Sequence, residues 1–315
     1  MSILSNRANN AEGLLGRVYA GDYGLQANGN SDDLGAIRKS INVALALGAG
    51  VVELAPGTVP VSGSIPIPSN LELVIPTGCT LKLMDGANAD VITNADTVNG
   101  NTGIRITGGG TIDGNRANQR TGGNGIRLVN CPDAIIAVAV QNCYDDGVLL
   151  TDCDRPVLTG ARSASNGAHG AHIEGCSFAT GTLIALNNGQ RVAGSGLALD
   201  EDANSVGTTD TSLTLIGTDD QVAKTQEFGF IEIAGTSCDR NFVMGSCVGN
   251  VVGTASLIGA SSILIGGVVA VIDGGAAASG QVDGGWASST ASATTDGGAA
   301  SASPLNAIDG GPAAQ

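Results

Sequence analysis

Apolar and polar residues alternate along this chain in short runs that return at a fixed interval. The runs GIRLVNC (125 to 131), GVLLTDC (147 to 153) and GAHIEGC (170 to 176) each read glycine, apolar, x, apolar, x, x, cysteine. Their glycines lie 22 and 23 residues apart, and so do their cysteines. A related run starts upstream at Gly103, and others follow at Gly196, Gly229 and Gly253 behind longer insertions. Period-two alternation predicts strands with one buried face, and a repeat of this length predicts stacked coils. Ile126 and Leu128, Val148 and Leu150, and Ala171 and Ile173 would point inward, with Cys131, Cys153 and Cys176 as an internal ladder. Each unit also carries a second β-rich segment ending in Asn142, Asn166 or Asn188. An Asn column at one turn suits stacked coils, because the side-chain amide bridges adjacent turns and Asn tolerates a left-handed backbone. The reading is an all-β, right-handed parallel β-helix.

The front of the chain predicts something different. SDDLGAIRKSINVALALG (31 to 48) has Ser31 as a helix cap, Asp32 and Asp33 in the first turn, apolar Leu34, Ile37, Ile41 and Leu45, and Gly48 as a stop. Such an amphipathic α-helix would cover the first coil, whose strand edges and apolar axis otherwise meet water. After Val271 the composition shifts to Gly, Ala and Ser, with D-G-G recurring at Asp273, Asp283, Asp296 and Asp309. The organisation expected is an N-terminal extension over 1–20, acting as an attachment segment, a β-helix over 21–270, and a Gly/Ala/Ser-rich tail over 271–315.

Composition and charge narrow the function classes. With 49 glycines and only 3% aromatic residues, hydrophobicity rests on small aliphatic side chains, which fits thin, tightly turned β elements. The net charge of −15 would repel a phosphate backbone or an anionic membrane surface, so neither nucleic acid nor membrane insertion is expected. No secretory signal peptide or spanning segment is read from the sequence. The seven cysteines lack a C-x-x-C pair and read as buried thiols.

Residues 18–270 resemble the pectate-lyase-like right-handed β-helix superfamily, on the D-Y-G-x-x-x-N-G-x-S-D-D stretch from Asp22 to Asp33, the helix after it, and a strand leading to Pro56-Gly57-Thr58. That superfamily includes polysaccharide lyases, polygalacturonases, epimerases and spikes of bacteriophages and phage-like particles. The resemblance, together with the tail, implies a virion spike or fibre that binds host cell-surface polysaccharide. It further implies a homotrimer, other virion proteins as partners, and assembly in the bacterial cytoplasm. A polysaccharide-degrading hydrolase or lyase and a purely structural virion connector are the alternatives.

Candidate chemistry gathers around the chain's two histidines, His169 and His172. One residue before each coil's glycine stand Asn124, Asp146, His169 and Ser195, and two after it stand Arg127, Leu149, His172 and Ala198. Adjacent coils are about 4.8 Å apart, so Asp146 and His169 would be neighbours, with His172 and Glu174 further along one strand face. The cluster partly resembles the polygalacturonase site, with Asp145 and Asp146 matching its D-D and His169 its histidine. Carried over, Asp146 would be the general acid, Asp145 would help activate water, and His169 would complete the catalytic set. Asn124 stands where that family has a third aspartate, and its Arg-x-Lys clamp is missing. Tyr144, His172, Glu174 and Arg191 are the candidate substrate-binding residues. Asp200, Asp202 and Asn204 have alternate calcium-loop spacing but lack the glycine and closing glutamate. They read as an exposed acidic turn, and no metal or cofactor is expected. The ladder further predicts that Cys153→Ser weakens the fold while His172→Ala leaves stability nearly unchanged.

Overall fold

The computed structural model describes residues 16–233, 237–256 and 262–265. Two sheets carry the strands, and every pairing between named strands is parallel. Among the described residues, the first sheet has 12 strands, from Arg17–Tyr19 to Ile263–Ile265, and the second has 8, from Ile65–Ile67 to Gly253–Ser256. From Arg105–Asp113 onward the chain alternates between them, so each coil contributes one strand to each sheet. This is a parallel β-helix.

The expected inward faces are the observed ones. Ile126, Val148, Ala171 and Leu197 pair in register, as do Leu128, Leu150, Ile173 and Leu199, and all eight are fully buried. Each buried Leu or Ile contributes about 1.5–3 kcal/mol over its exposed state. The coil glycines have a steric reason. A Cβ on Gly147 would stand 2.7 Å from the Gly170 carbonyl oxygen and 1.9 Å from Ser163 Oγ, so the stacked turn has room for hydrogen only.

Side-chain ladders fix the coils axially. The amide N–H of Cys131 points at Cys153 Sγ (3.4 Å) and that of Cys153 at Cys176 Sγ (3.2 Å). Thr208 Oγ1 takes the next rung, accepting from Cys176 N and donating to Ile173 O. An oxygen is thus already accommodated in the column. The amide ladder runs one residue away from the expected column in its first coil. Cys143 N donates to Asn166 Oδ1 and Asn166 N to Asn188 Oδ1. Asn188 Nδ2 donates to Gln226 Oε1, whose own amide reaches Asn250. Asn142 instead sits at the left-handed corner (φ 52°), in line with Ser165 (φ 56°) and Asn187 (φ 57°). The polar rung and the corner are adjacent positions, and Asn serves either.

The helix α1 (Leu34–Leu47) covers the first coil with Leu34, Ile37, Ser40, Ile41 and Ala44. Asp33, not Ser31, precedes its first turn, and its carboxylate accepts from Gln26 N and Ala27 N, tying the entry loop to the helix. Leu45 is half-exposed because Ala44 takes the inward position, and Gly48 ends the helix at φ 67°. Arg17–Tyr19 already pairs with Val51–Glu53, so coil pairing begins inside the stretch assigned to the extension. Residues 1–15 and the tail 271–315 lie outside the described residues.

Candidate functional site

The column one residue before the coil glycines is a continuous hydrogen-bonded ladder. Asn124 N donates to Asp90 Oδ1 (2.8 Å), Asp146 N to Asn124 Oδ1 (2.9 Å), His169 N to Asp146 Oδ1 (2.7 Å) and Ser195 N to His169 Nδ1 (2.9 Å). Each side chain therefore satisfies an amide that stacking would otherwise strand. Because Nδ1 of His169 accepts, the ring proton is assigned to Nε2. Burial pushes this histidine down to about 4 against the opposing pull of Asp146.

His172 lies on the outward column, opposite Leu149 and Ala198, with its side chain 14% exposed. Its Nδ1 is 3.4 Å from Asp146 Oδ2, and its Nε2 is 3.4 Å from Asp200 Oδ2 and 3.6 Å from Glu174 Oε1. Burial opposes its charge, yet Asp146, Asp200 and Glu174 together raise it to about 10. The imidazolium is thus the stable form at neutral pH. Burial likewise opposes charge on Asp146, but His172 and His169 outweigh it and hold the carboxyl below its ordinary range. Asp146 is therefore ionised with both oxygens engaged, the reverse of what a general acid requires. The rings of His169 and His172 lie 4.9 Å apart.

Tyr144, Asp145 and Arg191 form a second group. Arg191 Nη2 lies 2.5 Å from Asp145 Oδ1, its Nε donates to Tyr144 O, and its guanidinium stacks 4.3 Å from the centre of the Tyr144 ring. Asp145 Oδ2 accepts from Gly123 N, so this carboxylate is also committed. Tyr144 Oη donates to Arg120 O, at the lip of a polar groove of about 460 Å³ lined by Asp85, Asn88, Asn118, Gln119 and Arg120. Asp145 and Asp146 thus serve different clusters although they are adjacent in the bend between Ile135–Gln141 and Val148–Thr151.

Asp200 is the partner that loop spacing conceals. It pairs in register with Glu174, and coil alignment places both four residues after their glycines. The segment expected to be an exposed acidic turn also buries Asp202, whose Oδ1 accepts from Asn204 N and Val206 N. Among the described residues, no helix is long and apolar enough to cross a membrane.

No protein-family model and no curated protein sequence matches the chain. Solved structures do. The surface adhesin PfbA of Streptococcus pneumoniae matches with a TM-score of 0.58 at 14% identity, over 79% of this chain and 72% of that one. The family 28 exopolygalacturonase of Yersinia enterocolitica matches at 0.53 and 13% identity, over 79% of this chain and 58% of that one. The ORF18 protein of Geobacillus virus E2 matches at 0.50 and 16% identity, over 84% and 62%. At these identities the likeness establishes architecture alone. The chain has the parallel β-helix fold that these structures share.

Proposed function

We propose that this chain is a displayed β-helix that binds polysaccharide of a host cell surface without cleaving it, carried as a spike or fibre on a phage or phage-like particle. The observation that carries the non-hydrolytic reading is the engagement of both carboxylates. Asp146 is ionised within the coil ladder, where it has no proton to give a leaving group, and both oxygens of Asp145 are engaged by Arg191 and Gly123 N. The binding surface is the Tyr144–Arg191 stack and the amide-rich groove beside it, which offer a sugar one flat face and several directional donors and acceptors. Support for display comes from neighbours that include a bacterial surface adhesin and a viral protein. A homotrimer seated on other virion proteins is part of the same reading.

Affinity electrophoresis through host capsule polysaccharide, with chain length followed by gel filtration, tests it. Wild type is expected to be retarded and to leave polymer length unchanged. Arg191→Ala and Tyr144→Ala should each weaken retardation by about tenfold, one aromatic or cationic contact's worth, at little cost in Tm. Shortening of the polymer by wild type but not by Asp146→Asn would overturn the non-hydrolytic reading in favour of a hydrolase. Absence of retardation, with particles still requiring the chain, would favour the structural connector.

A further inference from the structure

Three carboxylates surround His172, and its Nε2 makes no hydrogen bond although two of them face it at 3.4 and 3.6 Å. Asp146 Oδ2, on a buried residue, stands behind Nδ1. Nε2 on the opposite side is buried and has no hydrogen-bond partner. Donor atoms of His172, Glu174 and Asp200 all lie within 4.8 Å of one another. Register explains the meeting: His172 and Glu174 are two apart on one strand, hence on one face, and Asp200 pairs with Glu174 from the next coil. The second oxygen of each carboxylate is held elsewhere, Glu174 Oε2 by Thr151 Oγ1 and Asp200 Oδ1 by Glu201 N. One oxygen of each is thereby left toward Nε2. A carboxylate behind an imidazole whose far nitrogen is free is the arrangement that orients a histidine ligand and raises its basicity.

We propose that His172 Nε2, Glu174 Oε1 and Asp200 Oδ2 form a site for one first-row divalent transition cation, Zn²⁺ foremost, with its remaining positions open to water. One nitrogen and two oxygens suit Zn²⁺, whereas Ca²⁺ and Mg²⁺ take all-oxygen shells. Two donors each about 2.1 Å from an ion at a tetrahedral angle are about 3.4 Å apart. The observed separations from Nε2 are 3.4 and 3.6 Å. The three side chains are 14%, 25% and 21% exposed, so an ion reaches them from the outer face. On binding, the cation takes the Nε2 lone pair, the proton there leaves to solvent, and no oxidation state changes. This site shares no residue with the Tyr144–Arg191 surface and its ion binding is independent of polysaccharide binding.

The test is calorimetric titration of the chelator-stripped full chain with Zn²⁺ and, separately, Ca²⁺, with Tm followed in parallel and histidine ring resonances followed by NMR. The expected result is one Zn²⁺ per chain, a raised Tm, displacement of the His172 resonances with those of His169 little changed, and weak or no response to Ca²⁺. Asp200→Asn and Glu174→Gln should each weaken Zn²⁺ by about tenfold or more. The metal-free Tm of both variants separates lost binding from lost folding. If one does not fold, the other carries the comparison. Zn²⁺ affinity unchanged in a folded variant, equal response to Ca²⁺, or no Zn²⁺ binding by wild type would overturn the site.

Discussion

Asn188→Ala is expected to destabilise the protein by about 3 kcal/mol or more, at the upper end for a single substitution. Asn188 is fully buried, and its Oδ1 accepts from both the backbone and the side-chain nitrogen of Asn166. Its Nδ2 donates to Gln226 Oε1. Truncation therefore strands Asn166 N and one amide hydrogen of Asn166 inside the coil stack, each costing about 1–3 kcal/mol when unpaired, while Gln226 Oε1 keeps Asn188 N and Asn166 Nδ2 keeps Ser163 Oγ. Asn187 is the internal comparison. It occupies a left-handed corner at φ 57° with an exposed partner in Asp220, so Asn187→Gly should change stability by less than about 1 kcal/mol. Urea unfolding of the full chain measures both, and equal effects would mean that the buried amide column does not hold the coils in register. A coil stack can open locally, so hydrogen exchange at Cys143 N and Asn166 N would show where stability is lost.

His172→Ala is expected to cost about 3–5 kcal/mol at neutral pH, against the sequence expectation of nearly none, because it leaves Asp146 as a buried charge without its cation. The pH dependence carries the sign. With a folded value near 10, His172 contributes stability that is complete below about 6.5, its unfolded value, and is lost as pH rises toward about 10. His169, with a folded value near 4, works in the opposite direction. The unfolded chain binds its proton first, so stability falls as pH drops from about 6.5 toward about 4. Metal-free wild type should therefore show highest Tm near pH 6.5, and His172→Ala should lose the decline on the alkaline side. An unchanged alkaline arm in the variant would remove His172 as its source. Cys153→Ser, expected from sequence to be the damaging change, has a hydroxyl precedent one rung on at Thr208. The structure therefore predicts the opposite order, with His172→Ala the more damaging of the two, and thermal unfolding of both variants measures it.

The repeat makes much of this legible. A period of 22 and 23 residues is enough to assign the positions that face inward, and it sets Asp146 beside His169 and His172 beside Glu174. Local ambiguities lie where one residue type serves two neighbouring roles. Asn142 suits ladder or corner, and the rung falls to Cys143. Ser31 suits the cap of α1, but Asp33 takes that place while bonding amides of the preceding loop, a non-local contact that no capping pattern shows. Side-chain direction is the least visible property. Adjacent aspartates at one corner read as one catalytic pair, although the backbone turns Asp145 to Arg191 and Asp146 into the ladder. Asp200 stays hidden because metal-loop spacing looks within one loop, whereas these donors come from consecutive coils.

The central claim is that the two histidines belong to a built network, His169 as a neutral ladder rung and His172 as a clamped cation. NMR titration of their ring carbons and nitrogens in the chelator-stripped chain tests it most directly, since the sequence has only these two. His169 should remain neutral, with bare Nδ1, until pH approaches about 4, and His172 should stay protonated until about 10. Two histidines titrating together near 6.5, the value of a solvated imidazole, would contradict the network and leave both as ordinary surface residues.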